Sequence, residues 1–160
     1  MPAFLSQLVA SWAAVFGNHA ALRTAVDFAH VGGLLAGGGC AVAADRATLI
    51  ASRQDAHIRD LQLRALHNVH RLVLVALVFV VASGVLLFAS DLQTFVASDV
   101  FWVKLGLVAL LLANGGLLVR LERRVERGNQ SAWRGLRYAS VASLTLWFLT
   151  TLAGVALTNI

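Results

Sequence analysis

The sequence is poor in cysteine, methionine, proline and charge. Its one cysteine, Cys40, excludes a disulfide scaffold and any zinc or iron–sulfur site that needs several cysteines. One proline and eight phenylalanines in 160 residues exclude a disordered or collagen-like chain. Charged residues make up 13%, about half the roughly 25% of a soluble domain. With 59% apolar residues and a mean hydropathy of +0.76, the composition predicts an integral membrane protein.

Catalytic motifs are also missing. The chain contains no nucleophile elbow, phosphate-binding loop, HExxH or CxxC motif, so we do not expect an enzyme that acts alone. The isoelectric point near 11 is explained by membrane topology and by contact with anionic lipid, and a nucleic-acid partner is not expected.

Four apolar runs are long enough to cross a bilayer as helices. A hydrocarbon core about 30 Å thick needs about 20 residues at 1.5 Å each. The runs cover residues 24–44, 72–89, 100–119 and 138–157, and none alternates with the period of two typical of a transmembrane β-strand. Short connections favour antiparallel neighbours. We therefore predict an all-α fold, an integral membrane up-down four-helix bundle that forms a single domain over residues 1–160.

Basic residues are distributed unevenly between the two sides of this bundle. Eleven of the thirteen lie around the two connections that precede the second and fourth spans: Arg46, Arg53, Arg59, Arg64, Arg71, Arg120, Arg123, Arg124, Arg127, Arg134 and Arg137. The positive-inside rule places these connections in the cytoplasm and both termini outside, in the periplasm of a bacterial-type inner membrane. We expect these side chains to contact anionic headgroups of the lipid bilayer.

The first residues are predicted to form an amphipathic helix over residues 3–17. Apolar side chains recur there at helical spacing, and the opposite face carries Ser6, Gln7 and Ser11. The segment is too short to span a bilayer, and no Lys or Arg precedes Arg23, so the positive n-region of a signal peptide is missing. We interpret it as an interfacial helix on the outer surface.

The first span is rich in small residues, among them the GxxxG pair Gly33 and Gly37. In a membrane such a face lets another helix backbone approach closely. The same face would suit a flat cofactor such as haem lying against a glycine-lined wall. Both interpretations stay open at this point.

Several other side chains have predicted structural roles. Asn114, in the third span, is expected to form a hydrogen bond to another helix. Span two is predicted to begin as a cytoplasmic helix near Asp55. Trp102, Trp133 and Tyr138 lie near predicted span boundaries, as interfacial anchors do.

Three ionisable side chains lie in the outer parts of the predicted spans: Asp27, His30 and Lys104. Counting residues from the outer end of each span, at 1.5 Å per residue, places His30 about 9 Å and Lys104 about 6 Å below the outer membrane boundary. Asp27 and His30 share a helix face, and an ion pair between Asp27 and Lys104 would neutralise both charges. The cluster could be a hydrogen-bonded support between the first and third spans. It could also be a ligand or cofactor site, in which His30 and Asp27 would bind a metal.

His67 and His70 form a second cluster, at the cytoplasmic end of the second span. Two histidines at i, i+3 can chelate a metal or ligate haem, and contact with lipid headgroups is the alternative. His30 and His70 lie roughly 20 Å apart along the membrane normal, so they cannot ligate the same iron. At neither membrane depth does another span carry a second histidine, so a bis-histidine haem site is not predicted.

Three segments together resemble a known membrane family. They read FAHVGGLLAGGG, HNVHRLVLVALVFVVASGVLLF and DVFWVKLGLVALLLANGGLLVRLERR. Over most of residues 24–157 they resemble the four-helix unit of the copper resistance D (CopD-like) family, and they are similar to small bacterial four-span proteins of the same layout. The most specific pieces are His30 and the aromatic–x–Lys segment from Trp102 to Lys104.

The resemblance implies a role in copper uptake or tolerance, in a bundle similar to those of b-type cytochromes. It also implies that His30 and Lys104 are functional. The chain differs from typical members because it is a single four-helix unit and lacks the methionine-rich ligands that Cu(I) prefers.

Three functions remain as alternatives. The first is a small protein that binds haem b or copper and acts in electron transfer or copper handling. Its cofactor contacts would be His30, Lys104 and His70, and its metal ligands Asp27, His30, His67 and His70. The second is a non-catalytic accessory subunit, packed against other membrane subunits or against copies of itself. The third is a stand-alone transporter, which would need to oligomerise.

Overall fold

The computed structural model describes residues 3–159, with the side chains of residues 7–66, 69 and 71–159. Over this part the chain is helical and contains no strand, which confirms the all-α prediction. The helices are α1 (Ala3–Asn18), α2 (Ala20–Ala51), α3 (Ala56–Ser90), α4 (Leu92–Ala97), α5 (Asp99–Glu126) and α6 (Ala132–Leu157).

Helices α2, α3, α5 and α6 are each long and apolar enough to cross a membrane. Each contains one of the predicted apolar runs and extends beyond it. The 32 residues of α2, for example, span about 48 Å, whereas a hydrocarbon core is about 30 Å thick. Large apolar side chains cover the outside of these helices: Phe28 is 76% exposed and Phe148 71%.

Capping residues set the beginnings of several helices. Asp55 accepts a hydrogen bond from the Ile58 amide at 3.0 Å, which confirms that α3 begins next to Asp55. Ser98 caps α5 in the same way. Gly128 has a φ of +89°, a conformation that glycine adopts without strain, in the turn between α5 and α6.

Three of the small residues of α2, Gly33, Gly37 and Gly38, are packing positions. A Cβ added to Gly33 would lie 2.9 Å from Val80 Cγ2 and one added to Gly37 would lie 2.9 Å from Ala76 Cβ, so α2 and α3 are antiparallel and in close contact. On another side of α2, the Trp147 ring of α6 would lie 3.0 Å from a Cβ at Gly38. Gly33, Gly37 and Gly38 are thus covered by α3 and α6, as the helix-packing interpretation requires.

Helices α5 and α6 form the second antiparallel pair. Asn114 Nδ2 donates a hydrogen bond to the Ala139 carbonyl at 3.0 Å, which confirms the predicted interhelical bond. Nearer the connection between the two helices, Leu121 lies against Gly135, where an added Cβ would be 3.0 Å from Leu121 Cδ2.

The buried apolar core lies at the end of the helices that carries the arginines, which we call the Arg-rich end. It consists of Leu63, Leu66, Leu118, Val125, Ala132, Trp133, Leu136 and Ala139, from α3, α5 and α6. Trp133 is only 5% exposed, with the Arg59 guanidinium 5.6 Å from its ring centre, so the prediction of an interfacial anchor at Trp133 is wrong. Trp102 and Tyr138 are exposed, at 54% and 72%.

Helix α1 is present over the predicted residues and packs against α3 and α2 at the opposite, Arg-poor end. Trp12 Nε1 donates a hydrogen bond of 2.8 Å to the Leu86 carbonyl of α3. Arg23 donates to the carbonyls of Gly17 and Phe16 and so satisfies acceptors at the end of α1. These bonds fix the N-terminal helix beside the Arg-poor end of α3.

Candidate functional site

His30 lies at the α2–α3 interface toward the Arg-poor end and is half-buried. Its Nδ1 atom is 3.1 Å from the Val80 carbonyl and 3.1 Å from Ser83 Oγ, both on α3. The ring rests against Gly84, where an added Cβ would lie 3.3 Å from His30 Cε1. We call His30, Ser83 and Gly84, together with Lys104 and Gly154, the His30 site.

The hydrogen bonds of His30 assign its tautomer. A backbone carbonyl can only accept, so the bond to Val80 requires a proton on Nδ1. Ser83 donates its own proton to the Phe79 carbonyl and is therefore free to accept from Nδ1. In a neutral imidazole Nε2 then keeps its lone pair and is the nitrogen that can bind a metal ion or accept a further hydrogen bond.

Lys104 brings α5 to the same site. Its ammonium group acts electrostatically on the His30 imidazole, so the structure brings these two predicted residues together. On α6, Gly154 leaves room for the lysine, since an added Cβ would lie 3.6 Å from Lys104 Nζ. The site therefore draws on all four long helices.

Asp27 lies at the edge of the His30 site. The carboxylate is exposed and acts electrostatically on His30. Among the described side chains, no ion pair joins Asp27 to Lys104, so the expected pair between them does not form. The Asp27 side chain lies on the exposed surface of α2.

A cluster of aromatic rings lies next to the His30 site along the helices, toward the Arg-poor end. Phe88 and Phe101 stack with their centres 5.0 Å apart and their planes at 3°. Phe88 follows Gly84 by one turn of α3, and Phe101 precedes Lys104 by one turn of α5. Phe95 of α4 packs against both rings, at 6.3 and 5.7 Å. This aromatic cluster therefore lies about one helical turn from Gly84 and Lys104, toward the Arg-poor end.

The other predicted histidines lie elsewhere. Residues 67 and 70 belong to α3, and the side chains of His67 and His70 lie outside the described part of the structure. Ser83, which contacts His30, follows His70 by thirteen residues of the same helix, about 20 Å. His70 and His30 therefore belong to separate locations, as the predicted spacing requires.

A second polar cluster, absent from the predicted sites, lies toward the Arg-rich end. We call Asp45, Glu122, Ser140 and Ser143 the Asp45 site. All four are buried, with exposed fractions of 6%, 9%, 0% and 4%. The Ser143 and Ser140 hydroxyls interact with the Asp45 carboxyl, and the Asp45 charge acts on Glu122.

Helical periodicity carries a signal for this cluster. On α6, Ser140 and Ser143 recur with Trp147 and Thr150 at steps of three and four residues, all on the buried face. On α5, Glu122 follows Leu118 by four residues and shares its buried face. Helical register with core residues therefore indicates the burial of a polar residue better than the distance of that residue from the apolar run does.

The metal-binding capacity of the His30 site is small. No group of three or more His, Cys, Asp and Glu side chains comes together among the described residues. The site offers one imidazole nitrogen, and beside it one ammonium group that can neutralise a ligand's negative charge. These donors are too few to bind a bare metal ion, but they suit a metal complex whose metal ion already has most of its ligands.

Comparison of the chain with known protein families, with curated proteins and with solved structures finds no match.

Proposed function

We propose that the chain is a four-span protein of a bacterial-type inner membrane that binds haem b or copper at His30 and acts in electron transfer or copper handling. In this proposal the four long helices cross the bilayer as an up-down bundle. The Arg-rich connections face the cytoplasm and anionic lipid, and both termini are periplasmic.

One observation carries the proposal: the Val80 carbonyl holds the proton of His30 on Nδ1. Histidines that bind metals usually donate their other ring N–H to a carbonyl or carboxylate, which orients the ring and leaves one nitrogen for the metal. The Ser83 hydroxyl supports the same orientation from the same helix. These two hydrogen bonds hold the ring in one orientation, with Nε2 as the nitrogen that would bind the ligand.

The small donor set favours haem over a bare copper ion. Haem would bring most of the ligands of its iron with it and would need as few as one from this chain, for which His30 is available, whereas a bare ion would need several protein donors. Lys104 could pair with a haem carboxylate. When bound, haem would supply one-electron transfer.

The first test is a reduced-minus-oxidised absorption spectrum of the purified protein, with a metal assay on the same sample. A sharp reduced α-band of the b-haem type that is lost in His30→Ala supports the haem proposal. Copper without that band supports copper handling. The exposed His19, which bonds to Val15 of its own segment, is the control: His19→Ala keeps the spectrum.

Two results would contradict the assignment to His30. Loss of the band in His67→Ala or His70→Ala, with the band kept in His30→Ala, would move the site to the Arg-rich end. A wild-type sample without haem or metal, which also takes up neither on reconstitution, would remove the cofactor function.

A second function, an accessory subunit of a membrane complex, is favoured by one surface of α5. Gly106, Ala109, Ala113 and Gly116 are exposed at steps of three and four residues, and nothing lies within 4 Å of a Cβ added to either glycine. Such a row lets a helix of another subunit approach closely. Cross-linking from Ala113→Cys to a co-purifying subunit, without bound cofactor, would support this function.

A further inference from the structure

A groove runs along the outside of the α5–α6 pair, from the middle of α5 toward the Arg-rich end. Its volume of about 510 Å³ is within the range of about 300–1,000 Å³ that is typical of ligand pockets. Its walls consist of Leu110, Ala113, Asn114, Leu117, Ala142, Thr145 and Leu146. The two alanines, one on each helix, leave room between the larger leucines. We call this space the α5–α6 groove.

The polar groups in these walls already have partners within the helix pair. Asn114 Nδ2 donates to the Ala139 carbonyl at 3.0 Å, and the Thr145 hydroxyl donates to the Val141 carbonyl at 3.1 Å. The groove therefore offers mainly apolar surface, and it suits an occupant that is apolar at this depth.

Three exposed arginines continue the two walls toward the Arg-rich end. On α5, Arg120 and Arg124 follow Leu117 by three and seven residues and so lie on the same helix face. On α6, Arg134 precedes Ala142 by eight residues, about two turns. Among the described side chains, no acidic group forms an ion pair with any of the three. Guanidinium groups bind phosphate oxygens well, so the end of the groove suits an anionic phosphate group.

The charge of the whole connection has the same sign. Residues 120–137 contain six arginines and two glutamates, which leaves a net positive charge next to the groove. Basic pockets between helices on the cytoplasmic side of a membrane attract anionic lipid headgroups.

The length of the groove matches one leaflet of a bilayer. Leu110 and Arg120 are ten residues apart on α5, which corresponds to about 15 Å along the helix. A hydrocarbon core is about 30 Å thick, so this distance is half of it. With Arg120 at the level of the headgroups, Leu110 lies near the middle of the bilayer. An acyl chain below a headgroup at Arg120 can therefore follow the groove over its whole length.

We propose that the α5–α6 groove, with Arg120, Arg124 and Arg134, binds one anionic phospholipid. Its acyl chain lies in the groove, and its phosphate pairs with the arginines. This site differs from general contact between the Arg-rich connections and lipid, because it takes one molecule and selects it by charge and by chain together. The inference rests on the proposed crossing of the bilayer by the four long helices, but not on a cofactor at His30.

Native mass spectrometry of the whole protein in an uncharged detergent tests this site. Phosphatidylglycerol and phosphatidylcholine with the same acyl chains are the two probes. We expect each chain to retain one phosphatidylglycerol and to bind phosphatidylcholine more weakly. Arg120→Gln combined with Arg124→Gln should weaken the binding of phosphatidylglycerol about thirty-fold, because both charges act on the headgroup. Glycerol phosphate, which has the phosphate without the chains, should not displace the lipid.

Matched controls separate charge from groove shape. Arg46→Gln combined with Arg53→Gln removes the same charge from exposed side chains at the other Arg-rich connection and should keep the affinity. Ala113→Phe fills the groove and should prevent binding although the arginines remain. Leu112→Phe places the same ring on an exposed part of α5 outside the groove and should bind normally. All these side chains are exposed, so we expect each variant to unfold at the Tm of the wild type.

Four results would overturn the lipid site. They are equal binding of the two phospholipids, unchanged affinity in the double variant of Arg120 and Arg124, unchanged affinity in Ala113→Phe, and a lipid-free dimer that Ala113→Cys cross-links through the groove. The last result would show that a second copy of the chain covers the groove. Each of the four leaves the haem spectrum of His30 as a separate question. Release of the chain from membranes by alkaline carbonate would instead contradict the bilayer crossing on which the site rests.

Discussion

The His30 site and the Asp45 site both place ionisable groups between packed helices, but they satisfy them differently. His30 is half-buried and gives its Nδ1 proton to a backbone carbonyl and a serine hydroxyl of α3. Asp45 is 6% exposed, and its carboxyl interacts with the hydroxyls of Ser143 and Ser140. The first arrangement fixes the orientation of an imidazole ring, whereas the second holds a buried carboxyl among hydroxyl groups.

The largest expected effect would break the His30 site while leaving the Asp45 site in place. In Gly33→Leu the new side chain would clash with Val80 and the Ala76 carbonyl and separate α2 from α3. We expect a loss of about 3 kcal/mol, or about 6–12 °C in Tm, together with loss of cofactor binding. Gly39→Leu, where nothing lies within 4 Å, is the control and should unfold like the wild type.

A smaller change would test whether the orientation of the His30 ring matters for binding, without unfolding the protein. In Gly84→Ala the added Cβ would press on the His30 ring at 3.3 Å. Turning the ring away from its rotamer costs about 1 kcal/mol, so haem affinity should fall about five-fold in a reconstitution titration. Gly154→Ala meets Lys104 at an ordinary 3.6 Å and should bind haem normally. Equal affinities for the two variants would contradict the role of Gly84.

Two serine substitutions compare the sites directly. Ser143→Ala removes a hydroxyl that interacts with the buried Asp45 carboxyl and should destabilise the protein by about 1 kcal/mol. Ser83→Ala removes a hydrogen-bond acceptor of His30 and should destabilise it by about 0.6 kcal/mol. Thermal unfolding measures both, and a Tm in Ser143→Ala equal to that of the wild type would contradict a stabilising interaction with Asp45.

Much of the fold could be predicted because it follows from local rules. The apolar runs locate the four long helices, the charge distribution distinguishes their two ends, and Asp55 is a recognisable helix cap. The proximity of His30 and Lys104 follows from residue counting, since both lie at similar depths below the Arg-poor end on helices that run in the same direction. These inferences need only helix rise and periodicity.

The features that the sequence analysis did not predict depend on how far the helices continue beyond their apolar runs. Because α2 continues to Ala51 and α5 to Glu126, Asp45 and Glu122 lie inside the packed structure and not in a solvated connection. Trp133 is buried for the same reason, since α3 also extends past its apolar run and covers it. The tautomer of His30 depends on which α3 carbonyl faces it, which residue counting does not determine.

A haem titration of the wild-type, His30→Ala and His19→Ala proteins tests the claim that the Nε2 atom of His30 binds the cofactor. We expect the wild type and His19→Ala to form a b-type spectrum with one equivalent of haem, and His30→Ala to form none. Equal binding by all three proteins, or no binding by the wild type, would contradict the claim.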